Sequence, residues 1–355
     1  MRRCCSAVRD IRPDVICSVF NHRIRRALKA AATVFMLMGG TATATATPTD
    51  LHALRAYDRQ IAQIGYRLAA SGGDLCRETV PLSGFALHDL SQYARDEQSG
   101  ARAVFGFGDA PLVLAVASTS PAAAAGLREG DALLAIDGVD VPPAKPGAQR
   151  SYVRMAEVLR TLNAASQDGV LDLQVRRAGE TLTIQAATTP GCRGFFQVKV
   201  STTIDSRADG TFVEINSGLI DFAGTEEQVA AIVAHELAHN ILNHRARLNE
   251  VHIRRGVLGQ FGRSARLVRQ TEEEADRLSV YLLDRAGYAP EAIISFWQHY
   301  RSAHILSFLR AHTHPSESDR ILLVSQEIAR IVQMKAAGLV PRPAFMTGPS
   351  LPKLL

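Results

Sequence analysis

Residues 234–239 read Ala234-His235-Glu236-Leu237-Ala238-His239, and this stretch decides how the rest of the chain is interpreted. The two histidines are four residues apart, so a helix places both imidazoles on one face, one turn apart. That spacing suits two nitrogen ligands of one tetrahedral Zn²⁺, and Glu236 then lies where it can accept a proton from a bound water. The alternative is a buried helix whose histidines are ordinary polar core residues. Two histidines and a glutamate at this spacing favour the metal site.

The flanking residues predict the helix itself. Thr225 and Gln228 have the pattern of a capping box at the helix N-terminus. An apolar stripe then follows at helical spacing, formed by Val229, Ile232, Val233, Leu237 and Ile241. The sequence therefore predicts a capped helix between residues 225 and 244 that carries both histidines.

A zinc site of this kind needs a third protein ligand, and an acidic cluster downstream can supply it. Residues 271–277 read TEEEADR, in which Glu272 and Asp276 share a helix face. One carboxylate can bind zinc while the other accepts a hydrogen bond from a ligand imidazole. The alternative is a solvated first helical turn. His244 is too close to His239 to be a metzincin ligand, and Leu242 replaces that class's glycine, which excludes the class.

Together these motifs resemble the HtpX/BepA-like gluzincin zinc metallopeptidases, a CAAX-protease-type group. The resemblance spans about residues 195–332 and includes a late His314-Pro315 and Arg320. It implies that His235, His239 and Glu272 bind one Zn²⁺ per chain. It also implies that Glu236 is the general base.

The same resemblance assigns further roles around the zinc. Asp276 would orient His235, with Arg320 in the same outer shell. His314 would stabilise the transition state or cap the zinc in a resting form. The strand before the active helix would be an exposed edge that pairs with an extended peptide, and its residues are Val213, Glu214, Ile215 and Asn216. No hydrophobic spans flank the active helix, so the chain is more similar to the soluble, exported branch.

The first 46 residues are predicted to be an export leader. Arg23, Arg25, Arg26 and Lys29 precede a short apolar core, and small-residue cleavage sites follow at residues 42–46. Of the net charge of +5, the leader contributes +6, which leaves −1 for the remainder. A nucleic-acid partner is therefore not expected. We expect a periplasmic protein with no stable membrane span after leader removal, or a membrane-associated one if the leader is retained.

Residues 77–190 resemble a PDZ domain of the HtrA type. The resemblance rests on residues 120–122, 125–127, 130–131 and 134–138, including the turn signals Gly130-Asp131 and Asp137-Gly138. It implies a groove that binds peptides by strand addition beside a helix at residues 152–164. Residues 105–108, which read FGFG, are the candidate loop for a peptide carboxylate. The alternative is a small β-rich domain that only packs on the peptidase.

The cysteine positions agree with export. Three of the five cysteines lie in the leader, and the other two, Cys76 and Cys192, bracket the predicted PDZ domain. In an oxidising compartment a disulfide between them would clasp the stem of an inserted domain. Two unrelated buried thiols are the alternative.

We therefore expect an α+β protein with a PDZ domain inserted into a mainly helical zincin-type peptidase that has a small edge-strand sheet. The predicted parts are a leader (1–46), a first peptidase helix (47–75), the PDZ domain (77–190), the main peptidase domain (191–335) and a loose tail (336–355). The expected function is zinc endopeptidase of the cell envelope, acting on misfolded or misassembled exported proteins. A periplasmic chaperone or assembly adaptor with a latent or structural zinc site is the alternative.

Overall fold

The computed structural model describes residues 48–144, 150–253, 262–303, 316–346 and 354. The predicted leader and His314 lie outside these residues. Within them, no helix combines the length and the apolar character that crossing a bilayer requires.

The described parts of the chain form helices and short strands, an α+β architecture as predicted. The helices are α1 (Pro48–Ser71), α2 (Gln98–Phe105), α3 (Pro121–Ala124), α4 (Val153–Ala165), α5 (Ser217–Ala223), α6 (Glu226–Ile241), α7 (His244–Glu250), α8 (Gly262–Ala286), α9 (Ala292–Ala303) and α10 (Glu317–Ala336). The strands are β1 (Thr79–Leu82), β2 (Phe85–His88), β3 (Leu112–Val116), β4 (Ala132–Ile136), β5 (Val139–Asp140), β6 (Val170–Arg177), β7 (Glu180–Ala187), β8 (Thr189–Cys192), β9 (Phe195–Lys199), β10 (Ser206–Ala208) and β11 (Phe212–Asn216).

The helical part is built around α6 and α8, which pack against each other. Helix α6 begins where the sequence predicts, because the side chain of Thr225 accepts a hydrogen bond from the backbone N–H of Gln228. Glu226 and Glu227 in its first turn suit the positive end of the helix dipole. One core joins α6 and α8 to α1, α9 and α10, and its buried members include Ile64, Leu68, Val233, Leu237, Leu278, Leu282, Phe296 and Val324.

The β-rich module consists of a sheet in the order β2-β3-β4-β6-β7, with β5 paired to β4, and helices α2 to α4. The turn predicted at Asp137-Gly138 occurs, and Ala178-Gly179 forms a second hairpin turn. Asp137-Gly138 and Ala178-Gly179 have positive φ at both residues, which two-residue turns of type I′ require. The module has its own core, with Val113, Leu133, Val158, Leu171, Leu173 and Val175 fully buried. Its identity as a PDZ domain stays a prediction.

Helix α1 contributes to the helical core and to a separate apolar cluster at the β-rich module. Near its start, Leu51 packs in a small apolar cluster with residues of α2, whereas Ile61 and Ile64 lie in the helical core. Between these regions, Arg55 and Arg59 both pair with Glu129 of the β-rich module. These contacts fix the module against the helix.

The chain passes twice between the helical part and the β-rich module, and these two connections lie side by side. Strand β1 pairs antiparallel with β8, and a disulfide joins Cys76 to Cys192, whose Cα atoms are 5.5 Å apart. The structure therefore contains the disulfide that the cysteine positions predict. It closes the base of the β-rich module.

The FGFG segment is only partly a loop, because Phe105 ends α2, Gly106 caps it in the left-handed conformation, and Phe107 is buried against His88. Its role as a carboxylate-binding loop stays a prediction. One expectation is wrong in this region. The predicted tail is not loose throughout, because residues 341–346 pack against the helical part. There Arg285 donates to the carbonyl of Pro341, and Phe345 lies under Arg277.

Candidate metal centre

Three side chains on two helices converge on one point. His235 and His239 lie one turn apart on α6, and their Nε2 atoms are 3.1 Å apart. Glu272 of α8 places its carboxylate oxygens 3.5 Å from His235 Nε2 and 3.6 Å from His239 Nε2. Among the described residues, these three form the one group with donor atoms close enough to share a metal ion.

The donor set fits zinc. Ligand atoms bound tetrahedrally at about 2.0–2.2 Å are separated by about 3.3–3.6 Å, close to the spacing of these donors. Two imidazoles and one carboxylate are the ligand set of catalytic zinc sites that keep a fourth position for water. His235, His239 and Glu272 could therefore hold the ion that the sequence predicts.

Glu236 lies on the same helix beside these donors. Its carboxylate is buried and accepts a 2.7 Å hydrogen bond at Oε1 from the hydroxyl of Ser206 in β10. Burial raises the pKa of Glu236, although the His235 imidazole and the Ser206 hydroxyl oppose this effect. A carboxylate with a raised pKa is a better proton acceptor, which suits a general base.

Asp276 and Arg320 both contact His235. Asp276 Oδ1 lies 3.0 Å from His235 Nδ1, and Arg320 binds both carboxylate oxygens of Asp276 at 2.6 and 2.5 Å. Burial alone would raise the pKa of Asp276, but Arg320 and His235 outweigh it and lower that pKa. The ionised Asp276 can accept the Nδ1 hydrogen of His235, which leaves Nε2 for the metal.

The carboxylates make the site attractive to a cation. Burial lowers the pKa of His235, but hydrogen bonds with Asp276 and Glu272 outweigh burial and raise it to about 9. The same negative charge that stabilises a proton on His235 stabilises a metal ion.

The predicted substrate strand is not an edge. Strand β11 lies between β10, to which it pairs antiparallel, and β9, to which it pairs parallel. Residues Val213 to Asn216 are accordingly buried. The expectation that they form an exposed edge is therefore wrong. The strand at the edge beside the metal centre is β10, since Ser206 contacts Glu236 and Ala208 borders the cavity next to His239.

This cavity has a volume of about 220 Å³ and opens beside His239 and Glu272. Its wall mixes small and apolar side chains with a few polar ones, and includes Ala208, Leu248, Ile253, Val268 and Thr271. It is large enough to receive one side chain of a peptide that lies along β10.

Sequence reasoning missed a second group of residues behind His239. His244 Nδ1 lies 2.9 Å from His239 Nδ1, and His244 Nε2 lies 3.2 Å from Glu274 Oε2. A continuous helix would not bring His244 to this position. Asn243 adopts a left-handed conformation with φ of 50° between α6 and α7, and this break turns His244 back beneath His239.

His314 lies outside the described residues, so its role stays a prediction. The other predicted site residues on α6, α8 and α10 meet within one cluster: His235, Glu236, His239, Glu272, Asp276 and Arg320.

A model of peptidase family M48 matches residues 172–258 and 255–328 of the chain. The matched ranges contain the three candidate metal ligands and Glu236. This match indicates a metallopeptidase.

The chain is also similar to curated bacterial proteins. It is 30% identical over 115 residues to the beta-barrel assembly-enhancing protease of Escherichia coli strain K12, which covers 24% of each chain. The protein of that name from Shigella flexneri matches to the same extent. A Vibrio cholerae protein provisionally given this name is 26% identical over 203 residues, or 48% of this chain and 41% of the other. The chain thus spans less than half the length of these relatives.

Proposed function

We propose that this protein is a zinc-dependent endopeptidase of the bacterial cell envelope. The observation that carries the proposal is the set of donor atoms from His235, His239 and Glu272, spaced 3.1 to 3.6 Å apart. Glu236 lies beside them with a buried carboxylate. The match to peptidase family M48 over the same residues supports this reading.

The residues around the ion have separate tasks. Bound zinc would polarise the scissile carbonyl and lower the pKa of its water. Glu236 would accept a proton from the attacking water and later donate it to the leaving amine. Ser206 holds the Glu236 carboxylate in place, and Asp276 keeps the Nδ1 hydrogen of His235 on the side away from the metal.

The substrate is proposed to be an extended peptide that adds to the edge of β10. Strand β10 is the outer strand of its sheet, and its residue Ser206 touches the general base. A peptide paired there would run past Glu236 and could place one side chain in the cavity beside His239. The apolar wall formed by Leu248, Ile253 and Val268 favours an apolar side chain at that position.

A role for the β-rich module as a PDZ-type peptide-binding domain is part of the proposal. Strand β2 is an edge of the module's sheet, and Phe85 and Leu87 pack on the core that contains Met155 and Val158 of α4. A peptide could therefore add to β2 next to α4. Such binding would raise the effective concentration of substrate near the zinc.

Three observations support the proposed location of the protein in the cell. Residues 1–46 have the pattern of an export leader, the Cys76–Cys192 disulfide suits an oxidising compartment, and relatives carry the name beta-barrel assembly-enhancing protease. We infer a periplasmic protein that acts on misfolded or misassembled exported proteins. After leader removal we expect no membrane span and no nucleic-acid partner.

The alternative is a chaperone or assembly adaptor with a latent or structural zinc site. A structural site is closed by four protein ligands. A structural site does not need the buried Glu236 that lies beside the three donors. This observation favours catalysis.

Metal dependence tests the proposal. The chain from about Thr47 is purified, its zinc content is measured by mass spectrometry, and cleavage of an unfolded protein is followed. We expect one zinc per chain, loss of cleavage after treatment with a chelator, and recovery on adding zinc. Zinc without any cleavage would favour the adaptor, and absence of zinc binding would contradict both.

A further inference from the structure

His239 is backed by a second imidazole and a buried carboxylate. Its Nδ1 lies 2.9 Å from Nδ1 of His244, and the other ring nitrogen of His244 lies 3.2 Å from Glu274 Oε2. His244 is 2% exposed and Glu274 is 7% exposed, so the chain of contacts is shielded from solvent. We propose that His244 and Glu274 are positioning residues that orient His239 for metal binding, an inference that rests on the proposed zinc site.

The hydrogen positions follow from the role of His239. Its Nε2 faces His235 Nε2 and Glu272, so this nitrogen is the one that would bind the metal. A neutral imidazole ligand then carries its hydrogen on Nδ1. Only a His244 without a hydrogen on Nδ1 can accept it. His244 therefore carries its own hydrogen on Nε2, where it is donated to Glu274.

Glu274 is held in place independently of the histidines. Arg247 donates to Oε2 at 2.6 Å and to Oε1 at 3.3 Å, and Gln270 donates to Oε1 at 2.9 Å. The carboxylate is thus tied to both α7 and α8. These bonds give His244 a fixed acceptor, so the ring orientation of His239 is also fixed.

The two metal-binding histidines are therefore supported in different ways. His235 contacts the carboxylate of Asp276 directly, and Arg320 holds that carboxylate. His239 reaches a carboxylate through the His244 ring, and Arg247 holds that carboxylate. Each ligand thus has a carboxylate and an arginine behind it, but only His239 has an imidazole in between.

Zinc affinity measured by competition with a chromogenic chelator tests this role without relying on cleavage. Four variants are compared with the wild type: His244→Phe, His244→Asn, Glu274→Gln and Tyr281→Phe. His244→Phe removes the acceptor, and we expect zinc affinity to fall about 10–100-fold, the usual effect of losing an outer-shell partner. His244→Asn places an amide oxygen near the position of Nδ1, so it should retain more affinity than His244→Phe.

Tyr281→Phe is the matched control. Tyr281 is a buried residue of α8 that donates a 2.8 Å hydrogen bond to Glu327, away from the metal donors. This variant loses a buried hydrogen bond but should bind zinc as tightly as the wild type. The comparison separates loss of stability from loss of ligand positioning.

The outcomes distinguish this inference from the proposed function. If the wild type binds no zinc, the zinc site itself is wrong. If the wild type binds zinc and His244→Phe binds it equally well, the positioning role is overturned. If circular dichroism shows that His244→Phe is unfolded, Glu274→Gln decides. A drop of about tenfold or more supports the role, and unchanged zinc affinity overturns it.

Discussion

The hydroxyl of Ser206 donates a 2.7 Å hydrogen bond to Oε1 of Glu236 and so joins the edge strand β10 to the helix α6. The residue that would remove the proton from water is thus held by the strand along which a peptide would lie. Ser206 also opposes the rise in the pKa of Glu236 that burial causes. One hydrogen bond therefore connects the strand proposed to bind substrate with the residue proposed to transfer the proton.

Ser206→Ala should slow peptide cleavage while zinc stays bound. A hydrogen bond of this kind contributes about 0.5–1.5 kcal/mol, which corresponds to about a 2–10-fold loss in kcat/KM. Because Ser206 lowers the pKa of Glu236, its removal should also move the acid limb of the pH–rate profile to higher pH. An unchanged rate and an unchanged profile would show that Ser206 does not hold the base. Ser325→Ala, an exposed serine of α10, is the control.

Asp276→Asn should weaken zinc binding and destabilise the fold. The neutral amide no longer draws the Nδ1 hydrogen of His235, and we expect a loss of zinc affinity of about 10–100-fold. It also leaves the buried Arg320 without its carboxylate, which typically costs about 3–5 kcal/mol of stability.

The control for this prediction is Asp284→Asn on the same helix. Asp284 pairs with the half-exposed Lys335, far along α8 from the ligands. It should leave zinc affinity unchanged in the chelator assay, and thermal unfolding should show a smaller effect. Equal behaviour of the two variants would contradict the orienting role of Asp276.

Reducing the Cys76–Cys192 disulfide should destabilise the protein. The bridge closes a chain separation of 116 residues, and removing a native disulfide typically costs about 2–5 kcal/mol. Thermal unfolding is measured with and without dithiothreitol for the wild type and the Cys76→Ser/Cys192→Ser double variant. The reductant should lower the Tm of the wild type alone. A wild-type Tm that does not respond to the reductant would contradict a stabilising bridge.

Asp58→Asn should stabilise the protein at alkaline pH. Burial raises the pKa of Asp58 from 3.8 to about 7, and the nearby Glu129 adds to this effect, against an opposing hydrogen bond with the backbone of Val198. Between these pH values the folded chain keeps a proton that the unfolded chain loses, so stability falls as pH rises. Asparagine has no carboxyl group to ionise, so Asp58→Asn does not lose this stability as the pH rises.

Thermal unfolding at pH 4 and pH 8 tests the direction of this pH dependence. At pH 8 the Tm of Asp58→Asn should exceed that of the wild type by at least about 2 °C, the shift that about 1 kcal/mol gives in a domain of 150–250 residues. At pH 4 the two proteins should differ less. If the Tm values of the two proteins differ more at pH 4 than at pH 8, the Asp58 carboxylate is charged in the folded protein.

The sequence predicts best what depends on local periodicity. The positions of His235, Glu236 and His239 on one capped helix follow from spacing alone, and the structure confirms that helix. The two-residue turn at Asp137 is likewise local, because it needs only a particular backbone conformation. The cysteine pair was predictable because few cysteines remain after the predicted leader.

What the sequence could not predict depends on contacts between distant elements. His244 meets His239 because Asn243 breaks the helix in a left-handed conformation, and no periodic pattern reports such a break. Strand β10 has only three residues, Ser206 to Ala208, without apolar alternation, so no pattern predicts it, and the family resemblance assigns the edge to β11 instead. Phe105 ends α2 and Phe107 is buried in the loop that follows, and the glycine pattern does not predict where these two rings pack.

The measurement that tests the account most directly compares Glu236→Gln with Glu227→Gln. Both are the same substitution on α6, but Glu227 is exposed in the first turn and Glu236 is buried beside the candidate ligands. Zinc content and cleavage of an unfolded protein are recorded for both variants and the wild type. We predict zinc in all three, with cleavage by the wild type and Glu227→Gln and none by Glu236→Gln. Cleavage by Glu236→Gln at the wild-type rate, with zinc bound, would contradict the assignment of Glu236 as the general base.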